Sequence, residues 1–118
     1  LRALPPALTG GGGGGAAATR VELRPSTKAG KKWRATIHLP GGRRRRTVHF
    51  GAARMSDYTK HKDPARKKRY IARHRKRENW ERSGLATAGF WSRWLLWNLP
   101  SLRASRKDMA RRFRLRFV

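Results

Sequence analysis

An α+β fold is predicted: a small β-hairpin followed by three helices, with a disordered Gly-rich N-terminal leader and a basic tail. Three features of the sequence carry it. Residues Lys32 to Leu39 alternate bulky and polar side chains, break at Pro40-Gly41-Gly42, and resume a strand-like pattern through Thr47-Val48-His49-Phe50, the signature of a hairpin. Asp63 followed by Pro64 opens a helical run, because an Asp side chain caps free N–H groups and Pro suits the first helical position. The densest apolar run, Gly89-Phe90-Trp91-Ser92-Arg93-Trp94-Leu95-Leu96-Trp97-Asn98, holds three of the five tryptophans. It is the candidate core nucleus, since a buried aromatic ring removes about 150–250 Å² from water.

Taken in order, residues 1–20 form a low-complexity leader or linker. Six glycines (Gly10 to Gly15) and three alanines follow a short Leu/Pro start, and no acid precedes Glu22. Such a segment has no apolar face to bury and is expected to be disordered. An acid-poor, Arg- and Ala-containing start suits either the remnant of an organelle transit peptide or a linker with no address.

Residues 21–55 are the hairpin region. Trp33, Ala35, Ile37 and Leu39 share one face by the period of two, with Val48 and Phe50 of the partner strand beside them. Val21-Glu22-Leu23-Arg24 offers a short third strand. The run Arg43-Arg44-Arg45-Arg46 lies just past the turn. Adjacent guanidiniums on a strand point to both faces, so part of the run is expected against phosphate or water.

Residues 56–113 carry the helices. Ser56 or Asp57 caps a short turn, His61 and Asp63 read as local turn chemistry, and the main helix is expected from Pro64 to about Arg82. Within it Arg66, Lys67, Lys68, Arg69, Arg73, Arg75, Lys76 and Arg77 place eight cations in twelve residues. Tyr70, Ile71, His74 and Trp80 supply only a thin apolar seam. A charge run is usually a solvated face, but this density suits a helix lying along phosphates better. Ser83-Gly84 ends that helix. In the tryptophan helix Phe90, Trp94 and Trp97 fall on one face and Trp91, Leu95 and Asn98 on an adjoining one. Pro100 stops it, and Ser101 stands in the N-cap position of a last helix, Leu102 to about Phe113. Residues 114–118 are a tail whose alternation suggests that it reaches to a neighbour.

Charge bounds the function. Thirty-one Lys and Arg against six Asp and Glu give +25 on 118 residues, a self-repulsion that a polyanion relieves. Nucleic acid is the first partner expected and an anionic membrane the weaker one, the apolar run being about half the length of a span. The absence of cysteine excludes disulfides, thiolate metal sites and a cysteine nucleophile. Four histidines (His38, His49, His61, His74) lack the spacing of a zinc site, so neither metal nor cofactor is expected. No paired carboxylates, Gly-x-Ser-x-Gly elbow or phosphate loop points to catalysis. The aromatics Trp33, Tyr58, Tyr70, Trp80, Phe90, Trp91, Trp94 and Trp97, interleaved with the cations, read either as core or as stacking platforms for bases.

The residues His49-Phe50-Gly51, Ser56-Asp57-Tyr58-Thr59, His61-Lys62-Asp63, Arg69-Tyr70, Arg73-His74, Asn79-Trp80, Ser83-Gly84 and Thr87 to Asn98 together resemble a family of small basic proteins. That family occurs in large DNA viruses of algae and protists and in some algae. The resemblance covers about half the chain, from His49 to roughly Phe113. It implies a compact hairpin-plus-helices unit and brings no activity or site residues with it.

The expectation is a non-enzymatic structural protein of a large ribonucleoprotein. It is read first as a lineage-specific ribosomal protein, in an organelle or the cytoplasm, that neutralises rRNA phosphates within an assembly of other proteins. A virion or chromatin component that binds DNA or cements a capsid is the second reading, and an accessory subunit of a membrane complex the third.

Overall fold

A computed structural model describes residues 18–41 and 43–118, so most of the expected leader, 1–17, lies outside the described residues. Three strands come first, β1 (Thr19–Pro25), β2 (Lys31–His38) and β3 (Arg45–Ala52). Thr19 and Arg20, assigned to the leader from sequence, thus belong to the first strand. The helical half holds α1 (Tyr58–His61), α2 (Pro64–His74), α3 (Ala88–Trp91) running into a π-helical turn (Ser92–Leu96), and α4 (Leu102–Phe113). The chain ends in β4 (Leu115–Phe117). The sheet order is β3-β2-β1-β4, antiparallel except for the β1–β4 pair.

The β2–β3 hairpin forms as the sequence predicts. Trp33 pairs with Phe50 and Ala35 with Val48. Gly41 adopts φ +94°, a left-handed conformation that glycine reaches without a Cβ penalty, and Leu39 N–H closes the turn on the Arg44 carbonyl at 2.9 Å. The residues 114–118 expected to reach a neighbour dock instead on their own sheet. Leu115 is buried and Arg116 exposed, and Val118 N–H donates to the Val21 carbonyl at 2.9 Å. The alternation read as a free tail is that of an edge strand with one face on the core.

The core lies between this sheet and the tryptophan segment. Val21, Ala35, Ile37, Val48 and Phe50 from the strands meet Phe90, Trp91, Leu95 and Leu96, with Met109 and Phe113 of α4 closing the far side. Trp91 is its centre, 0 % exposed. Its ring lies 5.8 Å from both Phe50 and Phe90 and 6.2 Å from Phe117, and its indole N–H donates to the Leu85 carbonyl at 2.8 Å. The expected faces of the tryptophan helix shift because it is not α-helical throughout. Trp97 N–H donates to the Ser92 carbonyl five residues back, a π turn. An α-helix would swing Leu96 about 140° away from Trp91. The wider turn lets Leu95 and Leu96 both enter the core and leaves Trp94 and Trp97 half-buried.

Asp57 caps α1, accepting from Thr59 N–H, and at 1 % exposure receives the Lys32 ammonium at 2.6 Å. Asp63 caps α2 with Pro64 in its first turn, and Ser101 caps α4 through Ala104 N–H at 3.0 Å, as the sequence predicts. The main helix is shorter than expected, ending at His74 rather than near Arg82. Continuous helix would separate Tyr70 and Trp80, ten residues apart, by about 15 Å, yet their rings stack 6.5 Å apart. The chain folds back instead, with His74 Nδ1 2.7 Å from Glu78 Oε2 and the Trp80 indole donating to Glu78 Oε1 at 3.0 Å.

Gly84 lets that return close. A Cβ there would lie 2.1 Å from the Asn79 carbonyl oxygen, backbone that cannot yield locally. Gly84→Ala is therefore expected to destabilise the fold by about 1–3 kcal/mol, read as a lower urea midpoint. An unchanged midpoint would show the 79–84 turn to be slack.

Candidate nucleic-acid interface

With helices on one side of the sheet, the residues of the opposite parity form an outer face. Strand register aligns Arg24, Arg34 and His49 in one row and Glu22, Thr36 and Thr47 in the next, followed by His38 beside Arg45 and Arg20 beside Arg116. Among the described residues five arginines thus share a face with one carboxylate, Glu22, two imidazoles, His38 and His49, and no Trp, Tyr or Phe. The His38 imidazole, 2.8 Å from Glu22 Oε2, hydrogen-bonds that carboxyl and holds it below its ordinary value. Arg20, Arg24, Arg45 and Arg116 are exposed, while Arg34 is half-buried with its Nε lacking a partner. The next outward position, Lys32, is diverted to Asp57.

The sequence-predicted run Arg43 to Arg46 is exposed throughout. Arg45 joins the outer face opposite His38, whereas Arg46 sits opposite Ile37 on the inner parity, so the run does divide between faces. On α2, Arg66, Lys68, Arg69 and Arg73 are exposed, as are Arg75, Lys76 and Arg77 in the turn that follows. Lys67 differs from the role expected of it. Its ammonium donates to the Asn98 carbonyl at 2.6 Å and lies 5.1 Å from the Tyr58 ring centre. Burial, with repulsion from Arg93, lowers its pKa. It ties α2 to the tryptophan segment and is not a free phosphate contact. Because α2 belongs to the helical layer, its cations and those of the outer sheet face are separate surfaces.

The aromatics are spent on the fold. Trp33 lies on the core face beside Phe50, and Phe90 and Trp91 are fully buried. Tyr70 stacks on Trp97 at 4.4 Å and 3° and on His74 at 4.2 Å. Burial, then the charge of Glu78, pushes its hydroxyl well above the ordinary tyrosine value. Trp94 donates its indole N–H to the Trp80 carbonyl at 2.8 Å and lies beneath two guanidiniums, Arg93 at 4.3 Å and Arg112 at 4.7 Å. Arg93 also covers Trp80 at 5.4 Å and donates to the Trp97 carbonyl at 3.0 Å. Burial lowers its pKa, and its Nε has no partner. Phe90 and Trp91 thus lie in the core, and Trp33, Trp94 and Trp97 pack against it partly buried.

The histidines lie apart. His38 faces Glu22, His49 approaches Ser26 Oγ at 2.7 Å, His61 accepts Asp63 N–H at 3.0 Å, and His74 meets Glu78. Among the described residues no three His, Asp or Glu gather as a metal site, and no helix is long and apolar enough to cross a membrane. Asp108 serves α4. Burial pushes its carboxyl up, but hydrogen bonds from Asn98 and Arg112 and the charges of Arg112 and Arg111 outweigh this and hold it low.

Sequence reasoning missed Arg20, Arg24, Arg34 and Arg116 as surface cations. Singly spaced arginines make no run, and only strand alternation combined with register assembles them. A family of unknown function, DUF5754, matches residues 21–74, from β1 to the end of α2. No curated protein and no solved structure matches the chain.

Proposed function

We propose that the chain is a non-enzymatic, structural RNA-binding protein of a large ribonucleoprotein, read first as a lineage-specific ribosomal protein that neutralises rRNA phosphates. The observation that carries the proposal is the outer sheet face, where Arg20, Arg24, Arg34, Arg45 and Arg116 stand against the single carboxylate of Glu22. A flat cationic face without Trp, Tyr or Phe, its two imidazoles engaged by Glu22 and Ser26, suits phosphates rather than unstacked bases. The exposed cations of α2 supply a second phosphate surface on the helical layer, fit for a protein wedged between two RNA segments.

The acids support binding over catalysis. Of the six, Asp57 and Asp63 cap helices, Asp108 and Glu78 brace turns, and Glu22 meets His38. That leaves only the exposed Glu81, and one carboxylate is no pair for acid–base work. The resemblance of His49 to Phe113 to a viral protein family favours a second reading, a virion or chromatin component that binds DNA.

One sedimentation gradient on lysate separates the readings. The protein is expected with ribosomal subunits and is released from them as salt rises. Recovery with virions or chromatin would move the assignment to DNA, and recovery with membranes would overturn both.

A further inference from the structure

Among the described residues, α4, β4 and Ala18 just before β1 line an open groove of about 600 Å³. Arg103, Arg106 and Lys107 of α4 and Arg116 of β4 rim it, and Ala110 and Phe117 contribute an apolar floor. Among the described residues no carboxylate lines it. The Arg106 guanidinium lies 5.1 Å from the Phe117 ring centre, and Trp91 meets Phe117 edge-to-face at 6.2 Å and 82°. Arg116 also pairs with Arg20 across the β1–β4 ladder, so the groove opens at the border of the cationic outer face.

This groove differs from the rest of the interface. The outer sheet face has charge with no ring but the imidazoles of His38 and His49, and in the tryptophan segment Phe90 and Trp91 are buried, Trp97 stacks on Tyr70 and Trp94 lies under two guanidiniums. Here open apolar surface and four cations occur together. A ligand that fits must be flat and apolar at one end and anionic at the other. Paired bases hide their flat faces inside a duplex, whereas an unpaired nucleotide offers both a base and its phosphates.

We infer that the groove receives one unpaired nucleotide of the bound RNA, a bulged or splayed base, with the ring against Phe117 and the Arg106 guanidinium and the flanking phosphates on Arg103, Lys107 and Arg116. The inference rests on the RNA-binding reading and adds to it a local structural preference. The outer face takes the backbone wherever it runs, and the groove fixes the position along it. An acidic peptide with apolar side chains is the competing occupant. Continuity with the arginine face favours RNA, because a strand bound there reaches the groove over Arg116.

The test uses the full chain and two RNAs at one salt concentration, a plain duplex and the same duplex with a single 2-aminopurine bulge. The bulged RNA is expected to bind roughly ten- to a hundredfold tighter, the scale of one stacked base, and 2-aminopurine emission to fall on binding. Arg106→Gln with Lys107→Gln, both exposed on α4, should erase the difference. Phe117→Leu keeps apolar volume beside Trp91 and should abolish the quenching. Equal affinities with unchanged emission would overturn the groove assignment and leave phosphate binding standing. Failure to bind either RNA would overturn both. A peptide of alternating Glu and Leu that binds as tightly as the bulged RNA, and is weakened by the same substitutions, would give the groove to a protein partner and overturn the inference.

Discussion

Trp91→Ala is expected to lose about 3–5 kcal/mol of folding stability, the usual cost of emptying a buried aromatic site. Domains of this size commonly hold only about 5–15 kcal/mol in total, so the variant should be largely or partly unfolded at physiological temperature. Trp91 is the residue through which β3, β4 and α3 meet, with Phe50, Phe117 and Phe90 all within 6.2 Å between ring centres. Truncation therefore removes contacts on three sides and orphans the Leu85 carbonyl. Trp94→Ala should cost less. Its ring is half-buried, and Arg112, one of the two guanidiniums over it, is exposed. Urea unfolding of the two variants decides the matter, and a larger loss for Trp94→Ala would misplace the core.

RNA affinity is expected to fall by about 10³–10⁵ between 50 and 200 mM salt, the behaviour of a protein making some six to ten phosphate contacts. The exposed cations of the outer face and of α2 are enough for that number. On the proposed reading their attraction would come chiefly from release of counterions condensed on the RNA, which salt opposes directly. Binding measured by anisotropy on an unstructured and a duplex RNA should show the same steep decline for both. Affinity indifferent to salt would point to base readout or apolar contact and away from a phosphate-neutralising surface.

The local signals in the sequence were strong wherever one residue type does one job. Asp63-Pro64, Ser101 and Pro40-Gly41 mark two helix starts and a turn, and each stands where it was expected. The alternation of Trp33 to Leu39 gave the inner face of β2. What stayed hidden depends on distant partners. The end of α2 at His74 is set by Trp80 folding back onto Tyr70, a contact that helical periodicity cannot reveal. The π turn at Ser92 answers the need to bury both Leu95 and Leu96, which the run of tryptophans obscured. Lys67 looked like its neighbours in a basic run, and only the position of the Asn98 carbonyl turns it inward. The outer arginines Arg20, Arg24, Arg34 and Arg116 are invisible for the opposite reason, being scattered along three strands until register brings them side by side. The last of those strands, Leu115–Phe117, was itself read as a tail.

The central claim is that the outer sheet face binds backbone phosphate. The slope of log affinity against log salt measures it most directly, taken for the unaltered chain and for Arg20→Gln/Arg24→Gln/Arg45→Gln. These three arginines are exposed and share the outer face, so the fold should survive their loss, exposed charges adding little to stability. Each phosphate contact contributes about 0.7–0.9 to the slope, and the triple variant is predicted to be shallower by about 2 to 3 with an unchanged urea midpoint. An identical slope in the two proteins would contradict the account.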